Sequence, residues 1–104
     1  MESNQYQLKI FPLAQKDMEQ IFDYIAVELC NVSAAIQQIN DFERAFKNVC
    51  SFPESCPYIH NEYVKDKSLR KLVVNNYIAF YRVKDREIQV VRVLYGMRNY
   101  ETFL

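Results

Sequence analysis

The chain opens with a short alternation. Tyr6, Leu8 and Ile10 are apolar, with Gln7 and Lys9 between them, and the run through Phe11 stops at Pro12. A period of two ending at a proline predicts a strand over residues 6–11, followed by a helix that takes the proline into its first turn. From there Ala14, Met18, Ile21, Phe22, Ile25 and Leu29 recur at mostly three- and four-residue steps, with Lys16, Asp17, Glu19, Gln20, Asp23 and Glu28 on the other side. That is the stripe of an amphipathic helix. The break at Cys30-Asn31-Val32-Ser33 offers Asn31 and Ser33 as N-caps, after which Ala35, Ile39, Phe42, Phe46 and Val49 step by four and three toward Pro53. So short a link predicts an antiparallel two-helix hairpin.

The stretch from Phe52 to about Lys67 contains two prolines and no helical period, and is expected to be a loop. Residues 69–75, 77–84 and 87–95 are rich in Val, Ile, Tyr and Phe, with a tight break at Lys84-Asp85-Arg86, which predicts an antiparallel three-stranded meander. The tail from Gly96 to Leu104 has room for one last helical turn. The fold class is α+β: an N-terminal strand and an antiparallel helix hairpin packed on an antiparallel sheet that the C-terminal meander completes. At 104 residues the chain is expected to form one domain over residues 1–104.

Alternation in the last two strands places Tyr77, Ala79, Tyr81 and Val83 with Val91, Val93 and Tyr95 on one face. The other face takes Ile78, Phe80 and Arg82 with Ile88, Val90, Arg92 and Leu94. Both faces are largely apolar, and a helix hairpin covers one. The second is therefore expected to expose a patch for a protein partner, with Ile78, Phe80, Arg82 and Arg92 on it. The alternative is cover by the tail and the long loop.

Net charge is zero, yet the charges are segregated. Residues 1–64 hold four basic and nine acidic side chains, and residues 65–104 hold nine basic and four acidic ones. Such a dipole can make one face attractive to phosphate or to an acidic partner, among them Arg70, Arg82 and Arg92. The absence of a net basic excess argues against strong binding to RNA. The polar start and the absence of an apolar run near the roughly 20 residues of a spanning helix point to the cytosol and to no membrane partner. Cys30, Cys50 and Cys56 are an odd set without a CxxC pair, which predicts reduced thiols, no zinc site and no cofactor; His60, the single histidine, is expected at the surface.

Several strings, in order, are specific. Ile21-Phe22-Asp23-Tyr24-Ile25-Ala26, Phe52-Pro53-Glu54, Leu69-Arg70-Lys71-Leu72-Val73-Val74-Asn75-Asn76-Tyr77 running into Phe80-Tyr81-Arg82-Val83, and Val91-Arg92-Val93-Leu94-Tyr95-Gly96-Met97-Arg98-Asn99-Tyr100 resemble the motif succession of the RelE/ParE superfamily of toxins from bacterial type II toxin–antitoxin modules. The resemblance implies a cognate antitoxin whose C-terminal segment wraps the toxin, in a complex expected to be higher-order. It also implies one of two activities: inhibition of DNA gyrase, as in ParE-like members, or cleavage of messenger RNA in the ribosomal A site, as in RelE-like members. Metal-independent cleavage needs a base for the 2′-hydroxyl, cations for the phosphorane and an acid for the leaving 5′-oxygen. The motif positions offer Lys71, Arg98 and Tyr100 for these roles. Ile78 and Leu69, however, stand where RelE-like enzymes carry an arginine and a lysine, and Tyr95 where some carry a histidine. The long hairpin and the tail are nearer to ParE, and the gyrase reading is slightly favoured.

Overall fold

A computed structural model describes residues 5–97 and 99–104, so Arg98 lies outside the described residues. The elements run β1 (Gln7–Ile10), α1 (Pro12–Asp23), a π-helical turn (Tyr24–Glu28), α2 (Val32–Ser51), β2 (Arg70–Val74), β3 (Tyr77–Lys84), β4 (Glu87–Tyr95) and a 3-10 turn (Tyr100–Thr102). Phe11 is the N-cap of α1 and Pro12 stands at its first turn, where the missing N–H is not needed. At α2 the cap is Asn31, whose Oδ1 accepts from the amide of Ala34 at 3.0 Å.

The first helix departs from its predicted register near its end. The amide of Leu29 reaches back to the carbonyl of Tyr24, an i→i+5 bond. This wider turn takes Leu29, expected on the buried stripe, out to an exposed position. Cys30 follows with φ 51°, a left-handed residue just past a helix end, where glycine is the usual occupant.

The sheet order is β1-β4-β3-β2. The meander pairs antiparallel as expected, whereas β1 lies parallel to β4, Gln7 opposite Glu87 and Ile10 opposite Val90. The sheet is therefore mixed rather than wholly antiparallel. The cause is visible at α2: its end returns the chain to where β1 began, with the Tyr6 amide donating to the carbonyl of Cys50. The meander then runs with β1, against it, and with it again.

A bulge between Phe80 and Tyr81 corrects the predicted faces. Phe80 lies opposite Arg92 but Tyr81 lies opposite Val90, so Val91 is the extra residue and alternation restarts. Ile88 and Val90 thus join the helix side, in a core with Ala14, Met18, Phe42, Phe46, Val49, Ala79, Tyr81 and Val93. Val91 moves to the far side. Phe42 anchors the helix layer, its ring 6.1 Å from Phe46 and 5.8 Å from Tyr77. Full burial of each such side chain contributes about 1.5–3 kcal/mol.

The far face is not bare. Ile78, Phe80 and Leu94 form a second core with Ile59, Val64 and Leu69 from the loop, and Tyr100 and Leu104 from the tail pack against it. The exposed patch expected there is closed by the chain itself. Tyr100 sets its ring 5.0 Å from that of Phe80.

Candidate functional site

The basic residues proposed as a site are spread over the sheet, and three of the arginines are engaged within the chain. Arg70 is buried, donates from Nη1 to the carbonyl of Cys56 at 2.7 Å, and lies 3.9 Å from the centre of the Tyr58 ring. It fastens the Pro-containing loop to β2. Arg82 donates from Nε to Gln89 at 2.7 Å and pairs through Nη1 with Asp66 at 2.9 Å. Burial opposes ionisation of Asp66, but the hydroxyl and amide of Ser68 together with Arg82 outweigh it and hold this carboxyl below its usual range.

Arg92 is tied more closely still. Its Nε and Nη2 donate to the two carboxylate oxygens of Asp17 at 2.7 and 2.9 Å, and the Val93 amide donates to the same Asp17 at 2.9 Å. Strand β1 stops at Ile10 while β4 runs on to Tyr95, so the outer edge of β4 has N–H groups without a strand beside them. Asp17 on α1 meets one of these donors and the guanidinium in a single, bidentate arrangement. The guanidinium also lies 5.5 Å from the Phe103 ring, which links α1, β4 and the tail. Arg82 and Arg92, expected on a patch for a protein partner, pair within the chain with Asp66 and Asp17. Ile78 and Phe80, expected on a docking patch, are buried in the second core because the loop and tail pack over them.

Of the residues proposed for cleavage, Lys71 and Tyr100 fall on the same side of the sheet. Lys71 is the cross-strand partner of Phe80, against which Tyr100 packs. Both are half-buried, and His60 is exposed.

The structure also shows a groove of 530 Å³ between α1 and the end of β4, lined by Asp17, Gln20, Ile21, Tyr24, Tyr77, Val93, Leu94 and Tyr95. The rings of Tyr77 and Tyr95 meet edge-on with centres 6.0 Å apart. Burial, reinforced by the neighbouring Tyr24 and Tyr95, pushes the Tyr77 hydroxyl above its ordinary pKa and keeps it neutral. Such a groove suits a planar or aliphatic side chain with one hydrogen bond at its rim. Tyr95 and Tyr24 keep about half their surface exposed, unlike the fully buried Tyr81, whose hydroxyl donates to the carbonyl of Pro53 at 2.9 Å. The sequence offered one cue to this corner. Asp17, expected on the polar side of the first helix, stands three residues after Ala14 and four before Ile21, a spacing that sets it beside the apolar stripe, and it is buried there.

No helix among the described residues is long and apolar enough to cross a membrane. Among solved structures, a chain of the chromosomal ParDE toxin–antitoxin system from P. aeruginosa is similar over 89% of this chain and 98% of that one, with 25% identity and a TM-score of 0.72. A chain of the toxin–antitoxin complex RelBE2 from Mycobacterium tuberculosis shares the fold at 15% identity, covering 88% of this chain and 98% of that one with a TM-score of 0.58. A conserved hypothetical protein from Helicobacter pylori shares it at 16% identity over 86% and 93% of the two chains, with a TM-score of 0.53. No curated protein matches the sequence. The family described as the ParE toxin of the type II toxin–antitoxin system, parDE, matches residues 8–100. Sequence motifs, fold and family model agree, and the chain belongs to the ParE toxin family of type II toxin–antitoxin systems.

Proposed function

We propose that this toxin arrests growth by binding DNA gyrase, without cleaving RNA, and that a cognate antitoxin neutralises it in a higher-order complex. The supporting observation is the engagement of Arg70, Arg82 and Arg92. A metal-independent nuclease needs several cations aimed at one phosphate; these three are held by Cys56 and Tyr58, by Asp66 and Gln89, and by Asp17, which leaves Lys71 as the one described cation among the cleavage candidates. Family membership is with ParE. In a supercoiling assay, purified toxin stops gyrase from supercoiling relaxed plasmid, and added antitoxin restores the activity. Supercoiling that proceeds unchanged refutes the reading.

The placement of Lys71 and Tyr100 around Phe80 favours one alternative, a RelE-like ribosome-dependent cleavage of messenger RNA with Arg98 as a further cation. On that alternative Lys71→Ala abolishes toxicity and leaves antitoxin binding intact. On the gyrase reading Lys71→Ala remains toxic.

A further inference from the structure

The tip of the helix hairpin combines three features. Tyr24, Val27, Leu29, Val32 and Ile36 are each between 50% and 66% exposed, although every one is a large apolar side chain. They lie at the turn between the two helices: the π-helical turn takes Leu29 off the buried stripe, Val27 is exposed within it, and a three-residue link leads to Val32 and Ile36 at the start of α2. The rim is of one sign. Residues 19–40 contain three carboxylates, Glu19, Asp23 and Glu28, all exposed, and no lysine, arginine or histidine. The backbone there is also held in uncommon forms, an i→i+5 turn followed by a left-handed Cys30. Turns of this kind and non-glycine residues at positive φ concentrate at functional sites.

We infer that this tip is the surface with which the toxin grips its target protein, and that the surface it fits has an apolar centre and a rim of lysine and arginine. The inference rests on the reading of the chain as a toxin that acts by binding. Charge selects the occupant. An all-acidic rim repels the phosphates of nucleic acid and the anionic headgroups of a membrane. It attracts a basic protein surface, while the apolar centre supplies the area that excludes water. None of the arginines proposed as a site lies in this segment, so the tip stands apart from the Asp17–Arg92 and Asp66–Arg82 pairs.

Two double variants test it in the full chain: Val27→Ser with Val32→Ser to remove the apolar centre, and Asp23→Lys with Glu28→Lys to reverse the rim. All four positions are exposed, and each variant is first checked for wild-type thermal unfolding. Growth arrest on induced expression is the primary readout, with gyrase holoenzyme and relaxed plasmid as the in vitro probe and antitoxin affinity measured in parallel. Loss of one well-packed contact costs about 1.4 kcal/mol, a tenfold change. Both variants are therefore expected to need roughly tenfold more protein for the same arrest, with antitoxin affinity unchanged. Arrest at the wild-type dose overturns the inference. Loss of antitoxin affinity overturns it too, because the tip then belongs to the antitoxin, and so does a wild-type dimer that the variants convert to monomer. A wild-type chain that arrests growth but leaves supercoiling intact refutes the gyrase reading alone, since the growth assay still judges the tip. A wild-type chain that arrests nothing refutes both.

Discussion

Removing the carboxylate of Asp17 tests the account of how α1 is held to the sheet. Asp17→Ala deletes the acceptor for Arg92 Nε, Arg92 Nη2 and the Val93 amide at once. The side chains of Asp17 and Arg92 are only 10% and 17% exposed, so water cannot fully replace what is lost. The guanidinium is left with the carbonyl of Phe103 at 3.4 Å and the Phe103 ring. Breaking a buried pair from one side costs about 3–5 kcal/mol, and the residual solvent access places this one near the lower end, about 3 kcal/mol. For a domain of this size, about 4–8 °C of melting temperature goes with each kcal/mol, so a fall of roughly 12–24 °C is expected. Adding Arg92→Met removes the stranded charge and leaves the Val93 amide as the main deficit, about 1–3 kcal/mol. The double variant is thus expected to be more stable than Asp17→Ala. Urea unfolding of the purified toxin measures both. If Asp17→Ala stays within about 1 kcal/mol of wild type, or the second change lowers stability further, the pair is not the clasp described above.

Cys30→Gly relieves a left-handed residue that costs roughly 1–2 kcal/mol, against the added freedom of glycine in the unfolded chain, so a gain of about 0.5–1 kcal/mol is expected in the same titration, and a loss refutes the strain argument. Tyr81→Phe leaves the carbonyl of Pro53 without its donor and is expected to lower stability by about 1 kcal/mol; an unchanged midpoint means that water takes the place of the hydroxyl. The Asp66 carboxyl titrates lower in the folded chain than in the unfolded one, so its stabilisation is complete above the unfolded value, near 4, and is lost as acid protonates the folded group. Asp66→Asn should therefore narrow the stability gap between pH 6 and pH 3 relative to wild type, and a gap of the same size in both proteins contradicts that sign. Lys71→Ala is expected to stay within about 0.5 kcal/mol of wild type, so that any loss of toxicity in it reports on function; a large stability change removes it as a probe.

Much of the fold was legible because its signals are local. The stripe Ala35, Phe42, Phe46 and Val49 is the buried face of α2, and Asn31 is its cap. The break at Lys84 became a two-residue turn with Asp85 and Arg86 both at positive φ, as a type I′ hairpin requires. What alternation could not give was the bulge: Val90 and Val91 are the same residue, and nothing local says which is extra. Cover of the far face escaped for a similar reason. Ile59, Val64 and Leu69 lie in a segment without a period, and only tertiary packing brings them to Phe80. The candidate site was less legible than the fold. A cation's availability depends on partners far along the chain: Cys56 for Arg70, Asp66 for Arg82 and Asp17 for Arg92. The motif positions located these residues, but could not show that they were already spoken for.

The parallel pairing of β1 has a bearing on how the toxin comes into being. Gln7–Ile10 finds its strand partner about eighty residues later, at Glu87 and beyond, and has no other strand beside it among the described residues. Closing so long a span is entropically costly and is repaid only when β4 is in place. During synthesis the hairpin can gather early, but the edge of the sheet stays open until β4 has emerged. The finished scaffold therefore waits for β4, and a truncated product that stops before β4 lacks the strand on which β1, Asp17 and the Tyr24 groove all depend.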